Sequence, residues 1–180
     1  MKTIRTYDNI SPIGLDLFDK SRYEISDSAL SYDAIMVHSH PLHDIEIPEN
    51  LKAIVRVGAG VNTIPVDKCS ELGIVVFNTP GGNANAVKEL VLGVMIMAAR
   101  NVIAASAWVK TLGNEVDPGK AVEKGKVKFR GPEIMGKSIG IIGVGAIGSR
   151  MAKACTNLGM HVYGYDPFLS KQAIENIKPY

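Results

Sequence analysis

The sequence predicts an α/β protein built on parallel β-sheet. Three observations carry that reading. Short apolar runs alternate with helix-period segments along the amino-terminal half. Each run ends in a polar or glycine-rich turn. A glycine loop then joins a further strand to a helix at Gly143–Gly148. Runs that are mostly apolar belong to parallel strands covered on both faces.

The elements follow in order. Residues 2–7, KTIRTY, read as an opening strand. Asp33–His38, DAIMVH, is a second, and Leu51–Val57, LKAIVRV, a third that runs into GAG. Pro65–Leu72 reads as a helix, with Val66, Cys69 and Leu72 at three-residue spacing and Gly73 as its stop. Ile74–Phe77 is a fourth strand, ending in NTPGG. Asn85 opens a long helix. Ala86, Val87, Leu90, Val91, Val94, Met95 and Ala98 are apolar, and so are Leu92, Ile96 and Met97. A helix apolar nearly all round is expected to be buried, between domains or against a second subunit. Residues 113–136 are rich in Gly, Pro and Lys. There Lys126, Lys128 and Arg130 alternate with Val127 and Phe129. A basic phosphate-binding strand is one reading, and a solvated face beside a connector is the preferred one. Ser138–Ile142 is the next strand, Ile147–Leu158 the helix after the loop, and His161–Tyr165 a strand ending at Asp166.

Composition narrows the class. The chain has 180 residues, 46% of them hydrophobic, and a formal net charge of +2. That fits a globular protein with no general drive toward nucleic acid or membrane. The opening MKTIRTYDN has no apolar run after its positive charge, so it predicts no secretory signal. The most apolar stretch, Glu89–Ala99, is too short to span a bilayer. Cys69 and Cys155 stand far apart with no CxxC, which reads as two reduced thiols in a cytoplasmic protein.

The loop G143-V-G145-A-I-G148 has a specific physical logic. Gly143 permits the tight turn out of the strand, and Gly145 lets a pyrophosphate approach the backbone. Gly148 lets the helix sit close on the sheet. The helix start offers free N–H groups and a positive dipole end. Asp166, at the tip of the next strand, is placed to accept hydrogen bonds from ribose hydroxyls. A carboxylate there repels a 2′-phosphate, and the following PFLS brings no arginine to hold one, so NAD is expected rather than NADP. A helix-packing glycine turn without a ligand leaves Asp166 unexplained.

Three strand ends carry polar or glycine-rich turns: His38–His43, Arg56–Asn62 and Asn78–Asn85. Ligands of parallel sheets bind beyond the carboxyl ends of the strands. Arg56 suits an anionic substrate, because its fork grips a carboxylate or phosphate. His38, His40 and His43 raise a rival reading, a metal site from histidines on one strand face. Leu42 stands where the HxHxDH pattern of metallohydrolases has Asp, and no metal is expected.

The order of motifs resembles the D-isomer-specific 2-hydroxyacid dehydrogenases. The matching stretches are R56-V-G-A-G-V-N, G73-I-V-V-F-N-T-P-G-G-N-A-N-A-V-K-E-L, F129-R-G-P-E-I-M-G-K, G140-I-I-G-V-G-A-I-G and Y163-G-Y-D-P. Within the family they are nearest the branch that oxidises 3-phosphoglycerate at the start of serine biosynthesis. The resemblance implies a flavodoxin-like substrate domain followed by the first part of a Rossmann NAD-binding domain. The expected division is 1–84 for the substrate domain, 85–136 for the long helix and connector, and 137–180 for the cofactor domain. By resemblance, Arg56 and the Gly58–Gly60 backbone hold the anionic groups of a small 2-hydroxy or 2-oxo acid, and Asn83 sits in the substrate cleft. His38 and Ser39 occupy the turn that commonly reads Arg-Ser, where the arginine contacts substrate phosphate. Val87 meets the cofactor near its nicotinamide end, Ala146 and Ile147 lend backbone to the pyrophosphate, and Asp166 binds the ribose. A homo-oligomer, such as a dimer, is expected. The family's catalytic Arg, Glu and His fall downstream of the glycine loop, so no catalytic residue is assigned. His161, which begins a strand, reads as structural. The 180 residues alone are expected to give no turnover, and either to associate or to be poorly soluble. The alternative is a short, non-catalytic nucleotide-binding or partner subunit.

Overall fold

A computed structural model describes residues 1–114, 116–169 and 174. They fall into two compact units, Met1–Asn83 and Ala84–Tyr180.

The first unit is one five-stranded sheet. Its strands are β1 (Lys2–Tyr7), β2 (Tyr23–Ser26), β3 (Ala34–Val37), β4 (Ala53–Arg56) and β5 (Val75–Phe77). Their order is β2-β1-β3-β4-β5, parallel throughout. That is the flavodoxin-like order, with its reversal between β1 and β3. Two elements have no counterpart in the sequence reading. A short helix, α1 (Pro12–Leu15), starts on a proline at its first turn, and β2 follows it. The β2 segment YEIS is short and half polar, because it lies at the sheet edge. Helix α2 (Val66–Glu71) begins after Pro65 and stops at Gly73, whose φ is 68°. Ile35, Val37 and Ile54 share one sheet face and pack with Leu42, Leu51, Ile64, Cys69 and Ile74.

The second unit opens with α3 (Ala84–Ala99), followed by α4 (Val102–Val109). The break between them is Asn101, which adopts a left-handed backbone with φ 51°. A 3₁₀ turn (Lys110–Asn114), α5 (Pro118–Gly125) and a second 3₁₀ turn (Lys126–Phe129) follow. Strands β6 (Ser138–Ile142) and β7 (His161–Tyr165) pair in parallel around α6 (Gly148–Asn157). Met151, Cys155 and Met160 form the core, with Leu92, Met95, Ile139, Ile141 and Val162 packed against it.

Only Ala84 of α3 is buried, and Leu90 and Val94 are 68% and 55% exposed. One side of α3 meets the α6 core through Leu92 and Met95, and a single-layer neighbour cannot cover an apolar helix all round. Residues 126–129 are a 3₁₀ turn and not a strand, so the alternation of Lys126, Lys128 and Arg130 has no two-residue period behind it. β3 ends at Val37, which puts His38 and His40 in an irregular turn rather than on one strand face. Among the described residues no single helix is long and apolar enough to cross a membrane; α3 with its continuation reaches that length only as a pair bent by 65°.

Candidate functional site

In the first unit, β1, β3, β4 and β5 are neighbours, so their carboxyl ends open at one rim. The turns there are tied to one another. Val57 N–H donates to the Val37 carbonyl at 2.8 Å, and Thr79 N–H to the Gly58 carbonyl at 2.9 Å. Asn78 Nδ2 donates to the Ala59 carbonyl at 2.8 Å. Arg56, the last residue of β4, folds back over Gly58, where a Cβ would overlap its Nη1. The Arg56 Nε is buried and meets no protein acceptor among the described residues. A guanidinium set this way keeps donors for an incoming anion.

The His38 turn is organised by a residue outside every sequence motif. Asp8, with φ 67°, directs one carboxylate oxygen at three successive backbone amides. His38, Ser39 and His40 donate to its Oδ2 at 3.2, 2.6 and 2.7 Å. Ser39 Oγ lies 2.8 Å from His38 Nδ1. His40 stacks on Tyr7 with ring centroids 4.8 Å apart, and His43 Nε2 donates to the Asn62 carbonyl at 2.9 Å. The three rings thus have three separate partners. Among the described residues no three His, Cys, Asp or Glu side chains converge as a metal site would require.

The Ser39 amide, then those of His40 and His38, hold the Asp8 carboxyl below the ordinary carboxylate range, against the opposing effect of burial. A lowered folded value stabilises the turn at pH above the unfolded value, and that contribution is lost as pH falls through the folded one. We therefore expect the Ser39 and His40 amide resonances to titrate with a midpoint below the ordinary carboxylate range. Asp8→Asn should abolish that transition. A midpoint at the ordinary value, or the same transition in Asp8→Asn, would show that Asp8 does not organise the turn.

In the second unit the glycine loop has the geometry its motif requires. Gly143 has φ 85°, a backbone that L side chains rarely adopt, and its N–H donates to the Tyr165 carbonyl at 2.8 Å. A Cβ on Gly148 would overlap the Gly143 carbonyl and lie 3.2 Å from Ile141 Cγ2. A Cβ on Gly145 would meet no atom, so the space beside that backbone is open. Asp166 is anchored through both oxygens: Val144 N–H donates to Oδ2 at 2.8 Å and Phe168 N–H to Oδ1 at 2.9 Å. Each oxygen retains acceptor capacity for a ligand hydroxyl. Ala146 and Ile147 precede α6 directly, at its dipole-positive end. Arg150 Nη1 donates back to the Ala146 carbonyl at 2.6 Å, adding a cation beside the loop.

The structure brings His38, Ser39, Arg56 and Gly58 to neighbouring strand ends, and Gly143, Gly145, Ala146, Ile147, Gly148 and Asp166 to one loop. Asn83 is exposed at the end of the turn after β5, and Val87 is half-buried in the first turn of α3. Asp8 and Arg150 were missed. A polar residue at the carboxyl end of β1 was the available signal for Asp8.

The description "D-isomer specific 2-hydroxyacid dehydrogenase, catalytic domain" matches residues 4–179. The chain belongs to that family. Among relatives in the family, D-3-phosphoglycerate dehydrogenase of Archaeoglobus fulgidus is 40% identical over 160 residues, covering 87% of this chain and 28% of that protein. Hydroxypyruvate reductase of Thermotoga maritima is 41% identical over 123 residues, covering 68% of this chain and 37% of that one. The structure of NAD⁺-bound 3-phosphoglycerate dehydrogenase from Entamoeba histolytica superposes with a TM-score of 0.66 at 25% identity, over 98% of this chain and 59% of that one. The chain therefore spans less than two thirds of the length of these family members.

Proposed function

We propose that this chain is the amino-terminal part of an NAD-dependent dehydrogenase of D-2-hydroxy acids, with 3-phosphoglycerate as the first substrate to test. The observation that carries the cofactor half is the Asp166 carboxylate, fixed by the Val144 amide at the mouth of the glycine loop. Relatives named for 3-phosphoglycerate and a neighbour named as NAD⁺-bound support the choice of substrate and cofactor.

In this reading Gly143, Gly145, Ala146, Ile147 and Gly148 receive the pyrophosphate, and Asp166 the adenosine ribose. Val87 lies toward the nicotinamide. Arg56 and the Gly58 backbone hold the substrate carboxylate, with Asn83 beside them and His38 and Ser39 toward its far end. NAD, when bound, accepts the hydride from the substrate's C2. The chain's own residues orient and neutralise the acid. Of the four histidines, three sit in the His38–His43 turn and His161 opens β7. We place the acid–base pair that moves the hydroxyl proton, and the arginine that orients the 2-oxo acid, beyond these 180 residues. A second copy against the exposed side of α3 belongs to the same reading, with Leu90, Val94 and Ile96 as contacts. So does a reducing cytoplasm, since Cys69 and Cys155 are free thiols whose pKa burial pushes up.

The test is NAD reduction by the full-length protein with 3-phosphoglycerate, D-glycerate and D-lactate. Turnover with at least one is expected, and none from the 180 residues alone, although these should still bind NADH. His38→Arg should lower KM for the phosphorylated acid and leave the others unchanged. NADH binding with no oxidation of any of the three by the full-length protein would favour the non-catalytic subunit instead.

A further inference from the structure

Arg5 occupies an unusual place for a cation. It lies mid-way along β1, paired in register with Ile35, a residue of the hydrophobic core. Its guanidinium carbon is 4.8 Å from the Tyr7 ring centroid and 5.3 Å from that of Tyr32. Tyr32 is itself only 4% exposed. Among the described residues no carboxylate lies within ion-pair distance of Arg5, and its buried Nε meets no acceptor. Aromatic rings stabilise the face of a guanidinium but leave its in-plane N–H donors unanswered. A guanidinium without a counter-ion beside open space is a place for an anion, reached through its terminal donors.

Space for one adjoins it. The connection from β3 to β4 contains no helix and covers the core with Leu42, Ile45 and Ile47. It leaves a cavity of about 520 Å³ beside Arg5, Tyr7 and Tyr32. Leu30, Ile45 and Pro48 line its apolar part, and the exposed Glu46 also borders it.

We infer that this cavity binds a small aliphatic monocarboxylate, at a place that meets the turns at the strand ends only through Tyr7. Arg5 receives the carboxylate on a terminal N–H donor, since its Nε is buried. Ile45 and Pro48 receive the aliphatic body, and Leu30, 93% exposed, stands at the rim. Glu46 sets the limit of one negative charge, since a dicarboxylate or a phosphate ester brings a second charge against it.

The probes are isovalerate, its uncharged twin isovaleramide, and the dicarboxylate glutarate. Each is titrated into the ¹⁵N-labelled protein while the Arg5 Nε–H and the Tyr7, Tyr32 and Ile45 amide resonances are followed. Isovalerate should move them, and the other two should not. Arg5→Gln should weaken isovalerate about tenfold, the loss of one charged hydrogen bond. Glu46→Gln should admit glutarate. Equal shifts with isovaleramide, no shift with isovalerate, or unchanged affinity in a folded Arg5→Gln variant would overturn the inference. If Arg5→Gln unfolds, Glu46→Gln decides: continued exclusion of glutarate overturns it as well.

Discussion

Gly148→Ala is expected to abolish NADH binding and to destabilise the second unit by about 2–3 kcal/mol, the upper part of the usual range for overpacking. The obstacle is backbone. The new methyl would overlap the Gly143 carbonyl, and Gly143 is itself held at φ 85° with its amide bonded to Tyr165. Neither α6 nor the loop can yield without breaking the β6–α6 packing through Ile141. Gly145→Ala is the informative partner. Its methyl would point into open space, so stability should stay within about 0.5 kcal/mol of the parent. NADH binding should still be lost, because the methyl occupies the approach to the backbone. Thermal unfolding and an NADH fluorescence titration on both variants separate packing from ligand contact. Normal NADH binding by a folded Gly145→Ala protein would remove the glycine loop from the cofactor site.

The second large effect belongs to Arg56. Under the proposed function, Arg56→Gln in the full-length enzyme should lower kcat/KM about hundredfold, equivalent to about 2.7 kcal/mol for a lost charge-assisted pair. Gly58→Ala provides an independent route to the same defect. The added Cβ would overlap Arg56 Nη1, the far end of a flexible side chain rather than backbone. The arginine can swing aside, so the cost in stability should stay below about 1 kcal/mol. The guanidinium would leave its position, however, and much of the Arg56→Gln kinetic loss should follow. The two changes should then be less than additive, as expected of a shared group. A loss smaller than about twofold in Arg56→Gln would assign the substrate anion to another residue.

Much of this architecture was legible without coordinates. The strands at residues 2–7, 74–77, 138–142 and 161–165, the helix ending at Gly73 and the glycine loop all rest on local patterns, and the structure has them within a residue or two. Helix and strand periods, and a glycine at a position that demands positive φ, are properties of neighbours in the chain. β2 escaped because YEIS is short and mixed, as an edge strand is. What covers the exposed side of α3 was not legible, because composition reports how much apolar surface exists and not what meets it.

The candidate site divides along the same line. By itself the sequence determined a parallel α/β chain, a dinucleotide loop at Gly143–Gly148 with its acidic partner Asp166, and an arginine at a strand end. Only the tertiary structure decided that Asp8 gathers the amides of His38, Ser39 and His40, that Arg56 folds over Gly58, and that Arg5 sits against Tyr7 and Tyr32 beside a cavity. The reason is physical. A local pattern fixes the backbone state of a few residues, whereas the partner of a buried charge is chosen by sheet order and register, which bring together residues far apart in the chain.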